Sequence, residues 1–232
     1  LAIRDNPKPH AIALQALELK EVMPDFQSLH KQPLFDESIK PNMWVGNRGV
    51  VAPHYDIKDN LACVAAGSRK FSLFPPDQIN NLYLGPILNT PAGVPISLVD
   101  IKDPDLERFP KYKKALDAGF EATLNAGDAI FIPALWWHGV ESLETFNILV
   151  NYWWGEKQEN KFSPRDGLLH CMMSIANLDS AKRESWRHFF DYYVFKSMDG
   201  PAEHLPKDLN DILTGLSTEE ELAIGEYLAE KL

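Results

Sequence analysis

From Asn42 onward the chain is cut into short apolar runs that read as β-strands. Met43-Trp44-Val45, Leu61-Ala62-Cys63-Val64, Phe71-Ser72-Leu73-Phe74, Ala129-Ile130-Phe131-Ile132 and Asn147-Ile148-Leu149-Val150-Asn151-Tyr152 are separated by stretches holding Gly, Pro, Asn or Asp. Runs of this length are too short to give a helix a continuous buried stripe, but they suit strands. Gly67-Ser68 between two of them predicts a tight hairpin turn. Several short strands with such turns favour a sandwich or a barrel.

The flanks read differently. Ala11-Ile12-Ala13-Leu14 predicts a short strand, and Leu19 to Met23 a helical turn ending near Pro24. Residues 77–122 form a long excursion with Pro86, Pro91, Pro95, Pro104 and Pro110, either a substrate-facing lid or surface decoration. Ser163-Pro164 is a helix start signal. A second helix is expected from Asp179 or Ser180. Its Trp186, Phe189, Phe190, Tyr193 and Val194 fall on one face at i, i+3, i+4, i+7 and i+8. Ser217-Thr218-Glu219-Glu220 offers a capping box for a last helix. The expected organisation is a β domain over 1–160 and a helical region over 161–232.

With 232 residues, of which 45% are hydrophobic, the chain can bury a sizeable core and is too apolar for disorder. The first residue is Leu rather than Met, so further natural residues are expected upstream. No apolar run approaches the ~20 residues that cross a bilayer, and no charged-then-apolar signal segment opens the chain. Lys and Arg number 23 against 33 Asp and Glu, a net charge of −10, which disfavours binding to a phosphate backbone. Cys63 and Cys171 form no CxxC and suggest no disulfide framework. The cytoplasm is the default compartment.

The chemistry rests on His54-Tyr55-Asp56 and a distant His138. Side chains two apart on a strand share a face, so His54 and Asp56 would project together, about 7 Å apart at ~3.3 Å per residue. A third ligand from another strand completes a facial triad. Two imidazoles and one carboxylate leave half of an octahedral ion open, whereas a structural zinc site is closed by four protein ligands. His-x-Asp alone is a common chance pattern, and a His beside two Trp residues is often a core residue. The neighbourhood adds weight. Gly127-Asp128 feeds the apolar run 129–132, and Trp136-Trp137-His138 then delivers an imidazole just past that strand in a water-poor setting.

The stretch Val51-Ala52-Pro53-His54-Tyr55-Asp56, then Asn60, then Gly67 through Gln78, resembles the JmjC/cupin-8 oxygenases. Gly127 through Pro133, Trp136-Trp137-His138, Glu141-Ser142-Leu143 and Val150-Asn151-Tyr152-Trp153 resemble the same family's second ligand block. The likeness covers about residues 42–155. It is greatest to the branch of asparaginyl hydroxylases that inhibit hypoxia-inducible factor, and to bacterial cupin-like relatives.

This resemblance implies a double-stranded β-helix of the cupin, jelly-roll type with C-terminal helices, a mainly β fold with α. It implies Fe(II) held by His54, Asp56 and His138, with 2-oxoglutarate as cosubstrate. It implies hydroxylation of a protein side chain or a small molecule, with release of succinate and CO2; lysine demethylation is less expected. Asn60 and Asn151 match polar residues near metal and cosubstrate, their alternative being ordinary strand-end or turn asparagines. Trp153 either walls the metal pocket or is a core aromatic. The family's lysine for the distal carboxylate falls at Arg69, with Lys70 adjacent. Alternation lets only one of the two point inward, and Arg69 is favoured because a guanidinium binds carboxylate through two parallel hydrogen bonds. If both were solvated hairpin charges, 2-oxoglutarate itself would be in doubt. Val51 departs from the family, where a Thr often stands. These departures keep open a catalytically silent, metal-binding cupin acting as an interaction module. The aromatic face of the second helix either packs on the barrel or makes a homodimer, the latter expected.

Overall fold

Residues 60, 62 and 64 of the fourth strand are all buried while their neighbours are less so, which is the period of two that a strand with one face on a core must show. The computed structural model describes residues 11–88, 90, 93–155, 163–196, 205–206 and 216–230. The first compact unit is Leu1–Lys157 and the second Gln158–Leu232; the boundary expected at 160–161 lies outside the described residues.

The first unit contains β1 (Ala13–Glu18), α1 (Leu19–Val22), α2 (Phe26–Leu29), β2 (Pro41–Gly46), β3 (Gly49–Tyr55), β4 (Asp59–Ala66) and β5 (Ser68–Phe74). A 3-10 turn (Pro76–Asn81), α3 (Tyr112–Ala118), β6 (Phe120–Asn125), β7 (Ala129–Ile132), β8 (Trp137–Ser142) and β9 (Asn147–Trp154) follow. Two antiparallel sheets form, ordered β1-β2-β9-β4-β7 and β3-β8-β5-β6. Apart from β1–β2 and β5–β6, each successive strand lies in the opposite sheet, so the chain winds between the two as it advances. This is the cupin-like jelly roll.

That winding corrects the reading of Gly67-Ser68. β4 and β5 are not paired; Gly67 alone carries the chain from one sheet to the other. Its φ is +75°, which glycine adopts without strain. The strand expected to carry His54 is β3, while β6 and β8 have no counterpart among the apolar runs of the sequence. His138 therefore stands inside a strand of its own, not just past the strand at 129–132.

Three apolar clusters order the unit in layers. Between the sheets lie Ala62, Val64, Phe71, Leu73, Ile132, Val140 and Leu149, with Trp44, Leu124, Ile130 and Trp136 packed against them. Outside the first sheet, Leu19, Val150 and Tyr152 pack with Phe26, Phe35 and Ile39. Outside the second sheet, Phe74 and Trp137 meet Leu82, Val99, Tyr112 and Ala115 of the excursion. The excursion is thus a packed cover on the outer face, pinned by the Leu84–Ser97 bridge and by Ser97 N donating to Pro53 O at 2.8 Å; Pro91 lies outside the described residues.

In the second unit, α4 (Pro164–Ser174) is capped by Ser163, α5 (Ser180–Tyr193) by Asp179, and α6 (Thr218–Ala229) by a complete capping box of Ser217 and Glu220. Trp186, Phe189 and Tyr193 stack along α5, with centroids 5.4 and 6.3 Å apart. All three are about half exposed, and Val194 and Phe195 beyond the helix end are more so. Among the described residues no helix is long and apolar enough to cross a membrane.

Candidate metal centre

The site is built where β3 and β8 run side by side. Val51 pairs with Val140 and His54 with His138, so Ala52 and Pro53 together oppose Gly139. This is a β-bulge, and proline is tolerated there because a bulged position need not donate to the ladder. Without the extra residue His54 would fall on the opposite face from His138. With it, the two rings meet at 4.4 Å between centroids. β3 ends at Tyr55, so Asp56 follows on the turn rather than on the strand, and Tyr55 packs outward against Trp137. The donor atoms of His54, Asp56 and His138 all lie within 4.8 Å of one another, the only such group of three or more among the described residues.

Each imidazole is oriented by its own strand. His54 Nδ1 lies 3.0 Å from Ala52 O, and His138 Nδ1 lies 3.0 Å from Trp136 O. A carbonyl can only accept, so both Nδ1 atoms carry hydrogen and both Nε2 lone pairs are left for a metal. His138 is 3% exposed. Burial, followed by the neighbouring His54, holds its pKa well below the ordinary imidazole value, which keeps the ring neutral and able to ligate. Asp56 is more accessible than His138; its Oδ2 lies 3.8 Å from His138 Nε2 and accepts from Trp153 Nε1 at 3.1 Å. Two imidazoles and one carboxylate, with no fourth such ligand in the group, fit a divalent first-row ion with open positions, as in Fe(II) oxygenases.

Arg69 and Lys70 part as alternation requires. Arg69 lies on the same face of β5 as Phe71 and Leu73, the latter directly opposite His138. Its side chain enters the interior, 7% exposed, and its Nε has no hydrogen-bond partner among the described residues. Burial alone lowers it to about 10, so it remains a cation at neutral pH. Lys70 points the other way and pairs with Glu121 at 2.8 Å. Asn60, Asn151 and Trp153 all occupy the inward face of the first sheet. Trp44 Nε1 donates to Asn151 Oδ1 at 2.8 Å, and Asn151 Nδ2 donates to Asn60 Oδ1 at 3.1 Å. Val51, at the bulge, brings no polar group.

Three features escaped the sequence reading. Trp44 orients Asn151 and meets Trp153 edge-on at 5.9 Å, and only its inward register in β2 marks it. The Pro53–Gly139 bulge has a trace in the proline itself. The turn 133–136 is tied to the ligand-bearing segment by Leu135 N donating to Asp56 O and Ala134 N to Asp59 Oδ1, both at 2.8 Å, with Leu135 at φ +65°.

Residues 2–160 match the family defined by the cupin-like domain. The chain belongs to that family. Among relatives of this cupin-like chain, JmjC domain-containing protein D of Dictyostelium discoideum is 39% identical over 115 residues, covering 49% of this chain and 25% of that protein. Lysine-specific demethylase JMJ31 of Arabidopsis thaliana is 39% identical over 114 residues, 49% of this chain and 20% of its own. Human tRNA wybutosine-synthesizing protein 5 is 40% identical over 101 residues, 44% of this chain and 29% of its own. The cupin-like chain therefore aligns with under a third of each of these proteins. Among solved structures, E. coli ycfD aligns over 98% of this chain and 49% of its own with a TM-score of 0.38 and 14% identity, which adds nothing to the topology above. The family includes Fe(II)- and 2-oxoglutarate-dependent oxygenases, and the relatives named above include a lysine-specific demethylase and a tRNA wybutosine-synthesizing protein.

Proposed function

We propose that this chain carries an Fe(II)- and 2-oxoglutarate-dependent dioxygenase that hydroxylates a protein side chain or a small molecule. The observation that carries the reading is Arg69, a buried guanidinium with no anion beside it among the described residues, on the same interior face as the triad. A charge so placed is costly unless an anion arrives to pair with it. Arg69 stands four residues along β5 from the partner of His138, roughly 13 Å at ~3.3 Å per residue. An extended arginine side chain and a five-carbon dicarboxylate span that gap together.

In this reading His54, Asp56 and His138 hold the iron, Arg69 takes the distal carboxylate through two parallel hydrogen bonds, and the Asn60–Asn151 pair presents amides beside them. With both groups bound, the centre would reduce dioxygen at the expense of 2-oxoglutarate, giving succinate and CO2 and placing one oxygen on the substrate. The apolar walls, Trp44, Trp153 and Trp136 among them, keep bulk water from the reacting centre.

The test is succinate formation from 2-oxoglutarate with added Fe(II), wild type against His54→Ala. Turnover in wild type alone is expected. Metal binding without 2-oxoglutarate binding or turnover would instead make the chain a silent metal-binding module, and formaldehyde release with a methylated peptide would make it a demethylase. The proposal extends to a homodimer through the aromatic face of α5, since so much half-exposed aromatic surface on one helix normally finds a partner. Light scattering should give twice the chain mass, and Phe189→Asp should give one.

A further inference from the structure

All three ligands of the triad have one orienting hydrogen bond, but they get it from different places. His54 and His138 are fixed by carbonyls of their own strands, Ala52 and Trp136. Asp56 has no such help. It lies beyond the end of β3, outside the ladder, on a turn. The one side-chain hydrogen bond described for its carboxylate comes across the interior, from Trp153 Nε1 on β9 in the opposite sheet, at 3.1 Å. The oxygen it reaches, Oδ2, is the one 3.8 Å from His138 Nε2. Trp153 is itself held by register, since it pairs with Asn60 across the β4–β9 ladder, and by the edge of Trp44 against its ring.

We propose that Trp153 is a positioning residue for the metal: its indole N–H sets the Asp56 carboxylate in the triad orientation before the ion arrives. The inference rests on the triad reading above and adds a residue from outside the ligand set. A carboxylate on a turn that is free to rotate must be ordered when the ion binds, and that cost appears as weaker binding. Removing the N–H while keeping a ring in place restores that cost without emptying the interior. The adjacent Trp154 supplies the control. It faces the other side of the sheet, against Phe35 and Phe131, and touches no ligand.

The experiment is a Co(II) titration of the whole chain, read by the visible ligand-field absorption of the bound ion, with no cosubstrate and no turnover. Wild type and Trp154→Phe are expected to bind alike. Trp153→Phe is expected to bind about tenfold or more weakly, the range seen when a ligand's hydrogen-bond partner is removed, and to show an altered band shape that simple loss of stability would not produce. Equal affinity and an identical spectrum for Trp153→Phe overturn the inference. A wild type that fails to bind Co(II) overturns the triad reading itself, a distinguishable failure. Should Trp153→Phe not fold, the wild type labelled with 15N at tryptophan decides: the Trp153 indole resonance is expected to move when Zn(II) is added while that of Trp154 does not, and a stationary Trp153 resonance overturns the inference.

Discussion

Gly139 of β8 faces Pro53 of β3 so closely that a Cβ at position 139 would stand 3.2 Å from Pro53 Cγ and 2.9 Å from Ile101 Cδ1. The missing side chain is what lets the bulge close, and the bulge is what turns His54 toward His138. In Gly139→Ala the tip of the Ile101 side chain must move aside, and the ring of Pro53, which is fixed to the backbone of β3, must give by a few tenths of an ångström. A cost of about 1–3 kcal/mol is expected from overpacking, with Co(II) affinity falling because the two imidazoles separate. Urea denaturation and metal titration measure the two effects; an alanine variant unchanged in both would show that the bulge does not depend on this contact.

Arg69 and Lys70 are neighbours with opposite fates. Arg69→Gln is expected to abolish turnover of 2-oxoglutarate, since the buried guanidinium is the proposed carboxylate partner, while leaving the protein at least as stable because an unpaired interior charge is gone. Lys70→Gln is expected to keep turnover and to cost only ~0.2–1 kcal/mol, the worth of an exposed pair. Steady-state assays with both variants and thermal melts decide. Turnover lost in Lys70→Gln but not in Arg69→Gln would reverse the assignment.

The same pair predicts a small acid limb. The hydrogen bond from Lys70 holds the Glu121 carboxyl below its usual value of 4.5. A carboxyl with a depressed folded pKa contributes its stability in full above the unfolded value, and that contribution is lost as pH falls through the folded one. Below about pH 4.5 the urea midpoint of wild type should therefore drop toward that of Lys70→Gln, and the two should converge. A constant difference down to pH 3 would mean the pair does not act through Glu121.

Much of this was legible in the sequence because strands and ligands leave local marks. The runs at 43–45, 61–64, 71–74, 129–132 and 147–152 became β2, β4, β5, β7 and β9, and the period of two was enough to turn Arg69 and Lys70 to opposite faces. What stayed hidden was non-local. β6 carries Glu and Asn and stands at a sheet edge; it is a strand because β5 completes its ladder, not because of its own propensity. α3 forms within a proline-rich excursion because Tyr112 and Ala115 find a second core on the outer face of a sheet. Gly67-Ser68 has the composition of a hairpin, and nothing local distinguishes a hairpin from a corner between sheets.

That corner leaves no room. A Cβ on Gly67 would lie 2.5 Å from Asn147 Oδ1 and 2.6 Å from Phe146 O, at a φ of +75°. Asn147 is fully buried and its Nδ2 is committed to Glu144 O at 2.7 Å, so it cannot step aside. Gly67→Ala combines left-handed strain of ~1–2 kcal/mol with a backbone clash. A loss of more than about 3 kcal/mol, or failure to fold, is expected by urea denaturation. Near-neutral behaviour would place the turn elsewhere.

Leu135 offers the opposite case, a residue whose replacement should help. Its φ is +65°, a region that costs an L-residue other than Gly, Asn or Asp roughly 1–2 kcal/mol, and its side chain is half exposed, so little packing repays the strain. The backbone conformation is held from outside: Leu135 N donates to Asp56 O and the preceding Ala134 N to Asp59 Oδ1. Both bonds use main-chain donors and survive a change of side chain. Leu135→Asn keeps them and suits the left-handed conformation, so the variant is expected to gain about 0.5–1 kcal/mol, seen as a rise of a few degrees in Tm, with Co(II) affinity unchanged. A lower Tm would mean that the leucine side chain makes a stabilising contact larger than the strain it carries. A raised Tm with lost substrate turnover would instead assign that exposed side chain, one turn from the metal ligands, to holding the substrate.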